Sequence, residues 1–308
     1  MARKRKGDPV HGWIVLDKPS GMTSTRAVAK VKQLFNAQKA GHAGTLDPLA
    51  SGLLPVALGE ATKTVSFVME GPKVYRFCVR WGIETDSDDA DGRPVATSEE
   101  RPTRADIETI LPAFTGTIVQ VPPQYSALKV DGERAYDLAR EGETVELAPR
   151  EVTIARLELI DVPDADHAVF EAECSKGTYV RALARDMGRE LGCLGHVSAL
   201  RRIRVGPFGE RDMISLDKVS SLRHSGAGRE GLEDLLRPVE TALDDIPALA
   251  VSSADAARMK RGQPVIMRGR DAPVLHGMVF VESRGIPVAL AEMRQGALHP
   301  KRVFNLAG

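Results

Sequence analysis

The chain has 308 residues, of which 43% are hydrophobic and 27% charged, and its formal net charge is zero. This length and composition are typical of a globular protein with two domains and exclude a disordered or fibrous chain. No apolar run approaches the roughly 18 residues of a membrane-spanning helix. The basic start, MARKRKGDPVHGW, lacks the apolar stretch of a secretory signal. We therefore expect a cytoplasmic protein that does not enter a membrane.

Cysteine and histidine are too scattered to predict a metal site. Cys78, Cys174 and Cys193 lie far apart without CxxC spacing, and the seven histidines include no HExxH pair. Reduced cytosolic thiols explain such cysteines better than a disulfide framework or a zinc site does. We predict no metal.

The charges cancel overall but are unevenly distributed. Seven basic residues and three acids lie between Glu173 and Gly206, a stretch that contains the basic segment Ser198–Arg202, whereas acids collect in ETDSDDAD at residues 84–91. This separation predicts a face that binds a polyanion and a second, acidic face. Solvated surface charges without a partner explain the pattern equally well.

The amino-terminal part of the chain predicts short strands and helices in alternation. In chain order these are a strand at residues 13–17, a turn at 18–21, a helix from an N-cap at Ser24 through Phe35, a loop carrying Asp47, a strand at 74–83, a helix at 104–114 and a strand at 117–121. The strand at 74–83 alternates Tyr75, Phe77 and Val79 with polar neighbours, which is typical of a half-buried strand.

The remainder of the chain predicts an insertion, the end of the first domain and a β-rich second domain. Strands at 152–160 and 169–174 and a helix at 178–191 follow an insertion at 122–149, which carries a hairpin signal at Asp131-Gly132. Because the elements lack a strict βαβ rhythm, we predict an α+β fold with a mixed, mainly antiparallel sheet flanked by helices. A helical connection at about 209–245 leads to residues 246–308, which predict a small β-barrel-like domain.

One segment, GHAGTLDPLASGLLPVALGEATK, surrounds the carboxylate of Asp47 with four glycines and two prolines. Such a backbone turns repeatedly and approaches a ligand closely. A single Asp there could be a nucleophile, a general base or an electrostatic stabiliser at a sugar carbon. An ordinary Asp-Pro turn is the alternative. Arg181 is a candidate to keep this Asp ionised, and an exposed helix arginine is its ordinary alternative.

Four other residues have a structural and a functional interpretation. Tyr75 begins an aromatic strand face that is usual for packing, and Tyr179 lies where a helix begins. His42 stacks under a base or simply bonds to the backbone, and Leu200 is ordinarily a packing residue. Spacing alone assigns none of them to a site.

Four segments in order resemble the RNA pseudouridine synthases, and specifically the tRNA pseudouridine-55 synthase B (TruB) family. They are LDKPSGMTS at 16–24, the Asp47 segment, YSALKVDGERAYDLAREG at 125–142 and CSKGTYVRALARDMG at 174–188. The resemblance covers about residues 11–206. The carboxyl-terminal segment is similar, with a weaker motif, to the PUA domain that follows this enzyme core.

The resemblance implies a fold and a function. Residues 1–245 would form a pseudouridine synthase domain, residues 122–149 a thumb-like insertion that grips the T arm of tRNA, and residues 246–308 a PUA-like RNA-binding domain. The enzyme would convert uridine 55 in the T loop to pseudouridine by flipping the base out of its stack. It would need no cofactor and no obligatory protein partner, and would act as a monomer.

The resemblance also implies roles for individual residues. Asp47 would be the nucleophile and Arg181 its partner, while Tyr75 would pack against the target base and assist proton transfer. The implied substrate-binding residues, besides Tyr75, are His42, Tyr179, Leu200, Lys18 and Lys63; no chemical step is assigned to the two lysines.

Three alternatives remain open from the sequence. A guide-RNA-dependent synthase is disfavoured by the thumb-like insertion, and a glycoside hydrolase by the lack of a second paired acid. An RNA-binding protein that folds tRNA could have a dispensable catalytic site, although Asp47 and Arg181 are both present.

Overall fold

A computed structural model of the chain describes residues 7–126, 128–130, 133–134, 147–225, 230–267 and 276–306. Its strands are β1 Gly12–Lys18, β2 Ala40–His42, β3 Ser51–Leu58, β4 Lys73–Trp81, β5 Ile83–Thr85, β6 Pro94–Thr97, β7 Gly116–Gln120, β8 Lys129–Val130, β9 Glu133–Arg134, β10 Arg150–Asp164, β11 His167–Cys174, β12 Gly195–Val205, β13 Phe208–Gly209, β14 Ile214–Ser215, β15 Ala248–Ala250, β16 Val265–Ile266, β17 Gly277–Ser283, β18 Ile286–Arg294 and β19 Ala297–Val303. Its α-helices are α1 Ser24–Leu34, α2 Val65–Glu70, α3 Arg104–Ile110, α4 Val180–Glu190, α5 Leu216–His224, α6 Glu230–Glu233 and α7 Ser253–Lys260. Short 3-10 helices lie at Gly59–Lys63, Leu111–Phe114, Glu210–Asp212 and Val239–Leu243.

Ten strands form the central sheet. Its order is β14-β1-β3-β12-β4-β11-β10-β7, with β2 added to β3 and β13 added to β12. The pairs β1–β14 and β3–β12 are parallel and the other pairs are antiparallel. The predicted mixed, mainly antiparallel sheet is confirmed.

Strands β3 and β12, which occupy the middle of this sheet, were not predicted as strands. The sequence predicts a loop for residues 51–58 as well as for the residues around Asp47, because glycine and proline interrupt this segment. In β12 the pairing register with β4 shifts between Val197 and Ala199 and again between Arg202 and Arg204. These bulges interrupt the polar–apolar alternation that marks a strand, so the charged stretch gave no periodic signal.

Helix α1 is capped by a different residue from the one predicted. The Thr23 side chain accepts a hydrogen bond from the Arg26 amide, which makes Thr23 the N-cap. The neighbouring hydroxyl, that of Ser24, is buried and bonds to Leu46 instead. The prediction of the cap was therefore wrong by one residue, and the consequence is that Ser24 connects α1 to the segment around Asp47.

The two faces of the central sheet bury different cores. On one face, Ile14, Phe77 and Phe170 pack with Val31 of α1 and Leu183 of α4. On the other face, the sheet packs against the carboxyl-terminal domain; the shared core contains Trp13, Leu53, Phe208, Phe280, Leu290 and Phe304. Because alternate side chains of a strand point to opposite faces, β1 contributes to both cores.

The carboxyl-terminal domain contains a five-stranded sheet in the order β15-β17-β18-β19-β16. A turn at Arg284-Gly285 joins β17 to β18, and both residues have positive φ, 54° and 73°. Lys63 Nζ donates to the Val303 carbonyl at 2.7 Å, and the Asn305 amide donates to Glu60 at 2.7 Å. Polar contacts thus reinforce the shared apolar core.

The thumb-like insertion is described only in part. β8 and β9 pair in antiparallel fashion, Lys129 with Arg134 and Val130 with Glu133. The predicted hairpin turn at Asp131-Gly132 lies outside the described residues.

The predicted separation of a basic and an acidic face is wrong, because the two charged stretches contact one another. Helix α4 directs its arginines at the acidic stretch: Arg181 pairs with Asp89, Arg185 with Asp88 and Arg189 with Glu84. The other basic residues of the stretch are also engaged: Lys176 with Glu70, Arg201 with Asp17, Arg204 with Glu173, and Arg202 with backbone carbonyls. The clustering of basic and acidic residues in two stretches of the sequence therefore reflects ion pairs within the protein.

Close packing of α4 against the start of β12 predicts the effect of one substitution. A Cβ at Gly188 would lie 2.4 Å from the Gly195 nitrogen and 2.5 Å from the Leu194 carbonyl carbon, which are backbone atoms that cannot rotate away. We expect Gly188→Ala to lower the free energy of unfolding by about 3 kcal/mol, as overpacking does. Gly209→Ala, whose Cβ would meet nothing within 4 Å, is the control. Equal urea midpoints for the two variants would contradict the prediction.

Candidate active site

The candidate site lies where neighbouring strands of the central sheet meet the first turn of α4. Strands β3, β12 and β4 are adjacent in the sheet order. We name residues 43–50, between β2 and β3, the Asp47 loop. β4 contributes Tyr75, β12 contributes Leu200, and α4 contributes Arg181 beside its N-cap, Tyr179. The topology therefore brings together residues that are up to 153 positions apart, from Asp47 to Leu200 (200 − 47).

These residues surround a cavity of about 170 Å³. It is lined by Thr45, Leu46, Asp47, Tyr75, Thr178, Tyr179, Val180, Arg181 and Leu200. Pockets for drug-sized ligands are usually about 300–1,000 Å³, so this one suits a single ring. Five of the eight predicted site residues, namely Asp47, Tyr75, Tyr179, Arg181 and Leu200, lie in its wall.

Asp47 and Arg181 form an ion pair across the cavity. Arg181 Nε lies 3.0 Å from Asp47 Oδ2, and the side chains are 5% and 38% exposed. The Nε–H is not aligned with that oxygen well enough for a hydrogen bond, so the contact is one of charge. The carboxylate is the more exposed partner of this pair, and it faces the cavity.

Asp89, which was not predicted as a site residue, shares the Arg181 guanidinium. Arg181 Nη1 lies 3.4 Å from Asp89 Oδ2, and it donates to the Ser87 carbonyl at 2.9 Å. Arg181 Nη2 donates to the Tyr125 carbonyl at 2.8 Å. Asp89 is itself fixed by the Ser87 hydroxyl at 2.6 Å. The acidic stretch gave the signal for this residue, but only the fold shows that one of its acids reaches the site.

Burial raises the pKa of the Tyr75 phenol, with the Arg202 guanidinium acting in the opposite direction. The phenol therefore keeps its proton near neutral pH, which suits a hydrogen-bond donor and an apolar wall more than a general base. The Arg202 guanidinium carbon lies 6.0 Å from the centre of the Tyr75 ring.

Gln120 and Arg150 hold Tyr179 at the start of α4. The Gln120 side chain accepts from the Tyr179 amide at 2.8 Å and donates to its carbonyl at 3.0 Å. The Arg150 guanidinium lies 5.5 Å from the centre of the Tyr179 ring. Gln120 is 1% exposed and was missed, because a single glutamine at the end of a predicted strand gives no sequence signal.

Lys18 is fully buried behind the Asp47 loop. Its ammonium donates to the Met22 carbonyl at 2.7 Å, the Pro19 carbonyl at 3.0 Å and the Pro48 carbonyl at 3.4 Å. Burial lowers its pKa to about 8, with Asp47 opposing that shift. Lys18 thus contacts the loop and does not line the cavity.

The other two predicted substrate-binding residues also lie outside the cavity wall. His42 is on β2, and burial followed by the charge of Arg202 lowers its pKa, so the imidazole is neutral at pH 7. Lys63 binds Glu60 at 2.6 Å and the carboxyl-terminal domain. Their contact with a substrate remains a prediction.

Two features are absent from the described residues. No group of three or more His, Cys, Asp or Glu side chains there is arranged to hold a metal ion. Within those same ranges, no helix is long and apolar enough to cross a membrane.

Comparison with known proteins defines the class as the pseudouridylate synthases. Residues 32–180 match the N-terminal domain of the TruB family pseudouridylate synthases, and residues 181–244 match the tRNA pseudouridylate synthase B C-terminal domain. The chain therefore belongs to the TruB family.

Relatives and solved structures agree with this assignment. Proteins named tRNA pseudouridine synthase B are similar over the whole chain: that of Bradyrhizobium diazoefficiens is 65% identical, over 100% of this chain and 91% of its own length. That of Brucella ovis is 54% identical, over 99% of each. A chain of a Cbf5-Nop10-Gar1 complex superposes with a TM-score of 0.74 at 26% identity, over 98% of this chain and 91% of that one. A chain of an H/ACA RNP bound to a substrate RNA containing 2'-deoxyuridine gives 0.74 at 25%, over 99% and 92%.

Proposed function

We propose that the protein converts the uridine at position 55 in the T loop of tRNA to pseudouridine. One observation supports this most directly: the Asp47 carboxylate, paired with Arg181, is exposed to a cavity sized for one ring. The carboxylate faces space rather than the protein interior, so it is available to a sugar carbon. Membership of the TruB family and the names of the relatives supply the substrate class.

The reaction fits the side chains of the site. Pseudouridine forms when the N1–C1′ bond breaks, the uracil rotates, C5 joins C1′ and loses its proton, and N1 gains a proton. No atom is gained or lost between uridine and pseudouridine. One carboxylate can begin this by attack at C1′, by attack at C6, or by removing the C2′ proton to give a glycal. Tyr75, Tyr179 and Leu200 would confine the detached uracil while it turns.

The target base must leave its stack before it can enter such a cavity. Unstacking costs a few kcal/mol, which contacts in the pocket must offset. The Tyr75 and Tyr179 rings provide faces for a flipped base, and His42, neutral at pH 7, would occupy the space that the base leaves. Lys63 would lie near the substrate at the boundary between the domains.

Catalysis and RNA binding would belong to different domains. Residues 1–245 would be the catalytic domain, with a helical connection at about 209–245, and residues 246–308 would be a PUA-like RNA-binding domain. Residues 122–149 would act as the thumb that grips the T arm. We propose a cytoplasmic monomer that needs neither a guide RNA nor a protein partner.

Mapping of pseudouridine tests the proposal. Purified protein is incubated with an unmodified tRNA transcript, and pseudouridine is located by carbodiimide chemistry. We expect modification at the T-loop uridine without added cofactor, and none in a matched transcript with cytidine there. Modification only after a guide RNA and partner proteins are added would favour the guide-dependent alternative. Binding of tRNA without any modification would favour a tRNA-folding protein.

The lowered pKa of Lys18 predicts how the rate of pseudouridine formation depends on pH. Its folded-state pKa, about 8, lies below the ordinary 10.5, so the ammonium is charged at neutral pH and loses its proton as the pH rises through about 8. The neutral amine has one N–H fewer for the three carbonyls that it binds. We expect the single-turnover rate to fall above about pH 8. Lys18→Met should be slow throughout and lack this alkaline limb; an unchanged limb in that variant would refute the assignment.

A further inference from the structure

Side chains from outside the Asp47 loop hold its backbone. The Ser24 hydroxyl donates to the Leu46 carbonyl and accepts from the Leu46 amide, each at 2.9 Å. The Ser20 hydroxyl donates to the Leu49 carbonyl at 2.9 Å. Lys18 holds the Pro48 carbonyl, as described above. These contacts reach the loop from residues 18–24, which run from the last residue of β1 to the first residue of α1.

Arg202 provides the corresponding contacts from β12. Its Nη2 donates to the Gly44 carbonyl at 3.0 Å and its Nη1 to the Thr45 carbonyl at 3.3 Å. Its Nε donates to the Leu53 carbonyl of β3 at 2.8 Å. The residue is 1% exposed. One guanidinium therefore joins the start of the Asp47 loop to the strand that follows the loop.

The Arg202 side chain also lies next to Tyr75, which is part of the cavity wall. Arg202 is the antiparallel partner of Tyr75 across β12 and β4, and its guanidinium lies over the Tyr75 ring. It does not line the cavity. A shift of this one group would change the distance between the carboxylate of Asp47 and the ring of Tyr75.

Resting on the proposed function, we propose that Arg202 is a positioning residue for pseudouridine formation, which sets the place of Asp47 relative to Tyr75. The planar guanidinium satisfies three carbonyls in three directions, whereas a lysine ammonium at the end of a flexible chain lacks that fixed fork. Replacement of Arg202 by lysine would therefore keep the positive charge but lose the fixed geometry of the three hydrogen bonds. Because a misplacement of about 1 Å can lower a rate about 100-fold, the effect should appear in the chemical step.

The variants Arg202→Lys and Arg202→Met test the proposal, with Arg201→Lys and Arg201→Met as matched controls. Arg201 is the adjacent residue of β12. It makes a bidentate ion pair with Asp17, at 2.9 and 3.0 Å. Its side chain does not line the cavity. The readouts are the single-turnover rate at saturating enzyme, the Kd for tRNA, and the unfolding temperature.

We expect Arg202→Lys to lower the single-turnover rate about 100-fold while the Kd for tRNA changes by less than about threefold. Arg201→Lys should change neither by more than about threefold. A merely structural role would instead lower the rates of Arg202 and Arg201 variants in proportion to their loss of unfolding temperature. If Arg202→Met does not fold, the Arg202→Lys result decides.

Ser24→Ala tests the same loop independently, because Ser24 binds the backbone of Leu46 whereas Arg202 binds the carbonyls of Gly44 and Thr45. If Ser24 and Arg202 fix the same loop, the rate loss of the double variant Ser24→Ala, Arg202→Lys should be smaller than the product of the single losses. An Arg202→Lys rate within threefold of wild type, or a fully multiplicative double variant, would overturn the proposal. An inactive wild-type protein would instead mean that the proposed function is wrong, which separates the two failures.

Discussion

Replacement of Asp47 by Asn should lower the rate of pseudouridine formation by about 10⁴-fold or more, which is the scale seen when a nucleophile is removed. The amide has nearly the shape of the carboxylate but cannot attack a carbon or take up a proton as the carboxylate does. The site should otherwise stay intact, because Arg181 keeps Asp89 and the Ser87 and Tyr125 carbonyls as partners. Binding of tRNA should therefore be retained.

Single-turnover mapping of pseudouridine and a tRNA binding isotherm measure these two effects separately. Asp217→Asn, at an exposed position in the first turn of α5, is the matched control and should behave as wild type. A rate for Asp47→Asn within tenfold of wild type would refute the role of Asp47. Parallel losses of binding and rate would instead mean that the carboxylate holds the RNA.

Removal of the Arg181 charge should affect both stability and rate. Arg181→Met would leave Asp47 and the buried Asp89 without their cation, and loss of one partner of a buried pair costs about 3–5 kcal/mol. The rate should fall about 10³-fold, because the carboxylate loses the group that orients and stabilises it. Arg181→Lys should recover part of the stability, since the charge returns, but little of the rate.

Urea unfolding and single-turnover rates check this prediction. Arg189→Met is the matched control, because Arg189 is on the same helix and pairs with Glu84 while its side chain is 54% exposed. Its pair with Glu84 is bidentate and the Glu84 side chain is 12% exposed, but water reaches the guanidinium, so we expect a loss of about 1 kcal/mol, well below that of Arg181→Met. Equal losses of stability for the Arg181→Met and Arg189→Met variants would contradict a special role for the buried charge.

The charge pattern shows how a sequence interpretation can be correct about composition and wrong about arrangement. The basic stretch and the acidic stretch are both real, but α4 places Arg185 and Arg189 against Asp88 and Glu84. Coulomb attraction between segments about a hundred residues apart depends on chain topology, which a linear count does not contain. The same distribution of charges along the sequence is therefore compatible with ion pairs between the two stretches and with two separate charged faces.

The sequence by itself determined the elements whose signals are local. The alternation in β4 places Phe77 and Val79 in the core. The four ordered segments identified the family, and from that resemblance we predict the roles of Asp47, Tyr75 and Arg181. The strand and the family were predicted correctly because side-chain periodicity and short motifs are properties of neighbouring residues.

Only the tertiary structure decided which distant residues support Asp47. Asp89 and Arg202 lie in charged stretches and Gln120 ends a strand, but no local pattern assigns them to the site, because a buried polar side chain is recognised by the partners around it rather than by its neighbours in the chain. Register shifts in β12 interrupt its alternation, so the sequence did not predict the strand that places Arg202 beside the Asp47 loop. The sequence therefore led to Asp47 as the proposed reacting group, and the packing of β3, β12 and α4 determined where that side chain is held.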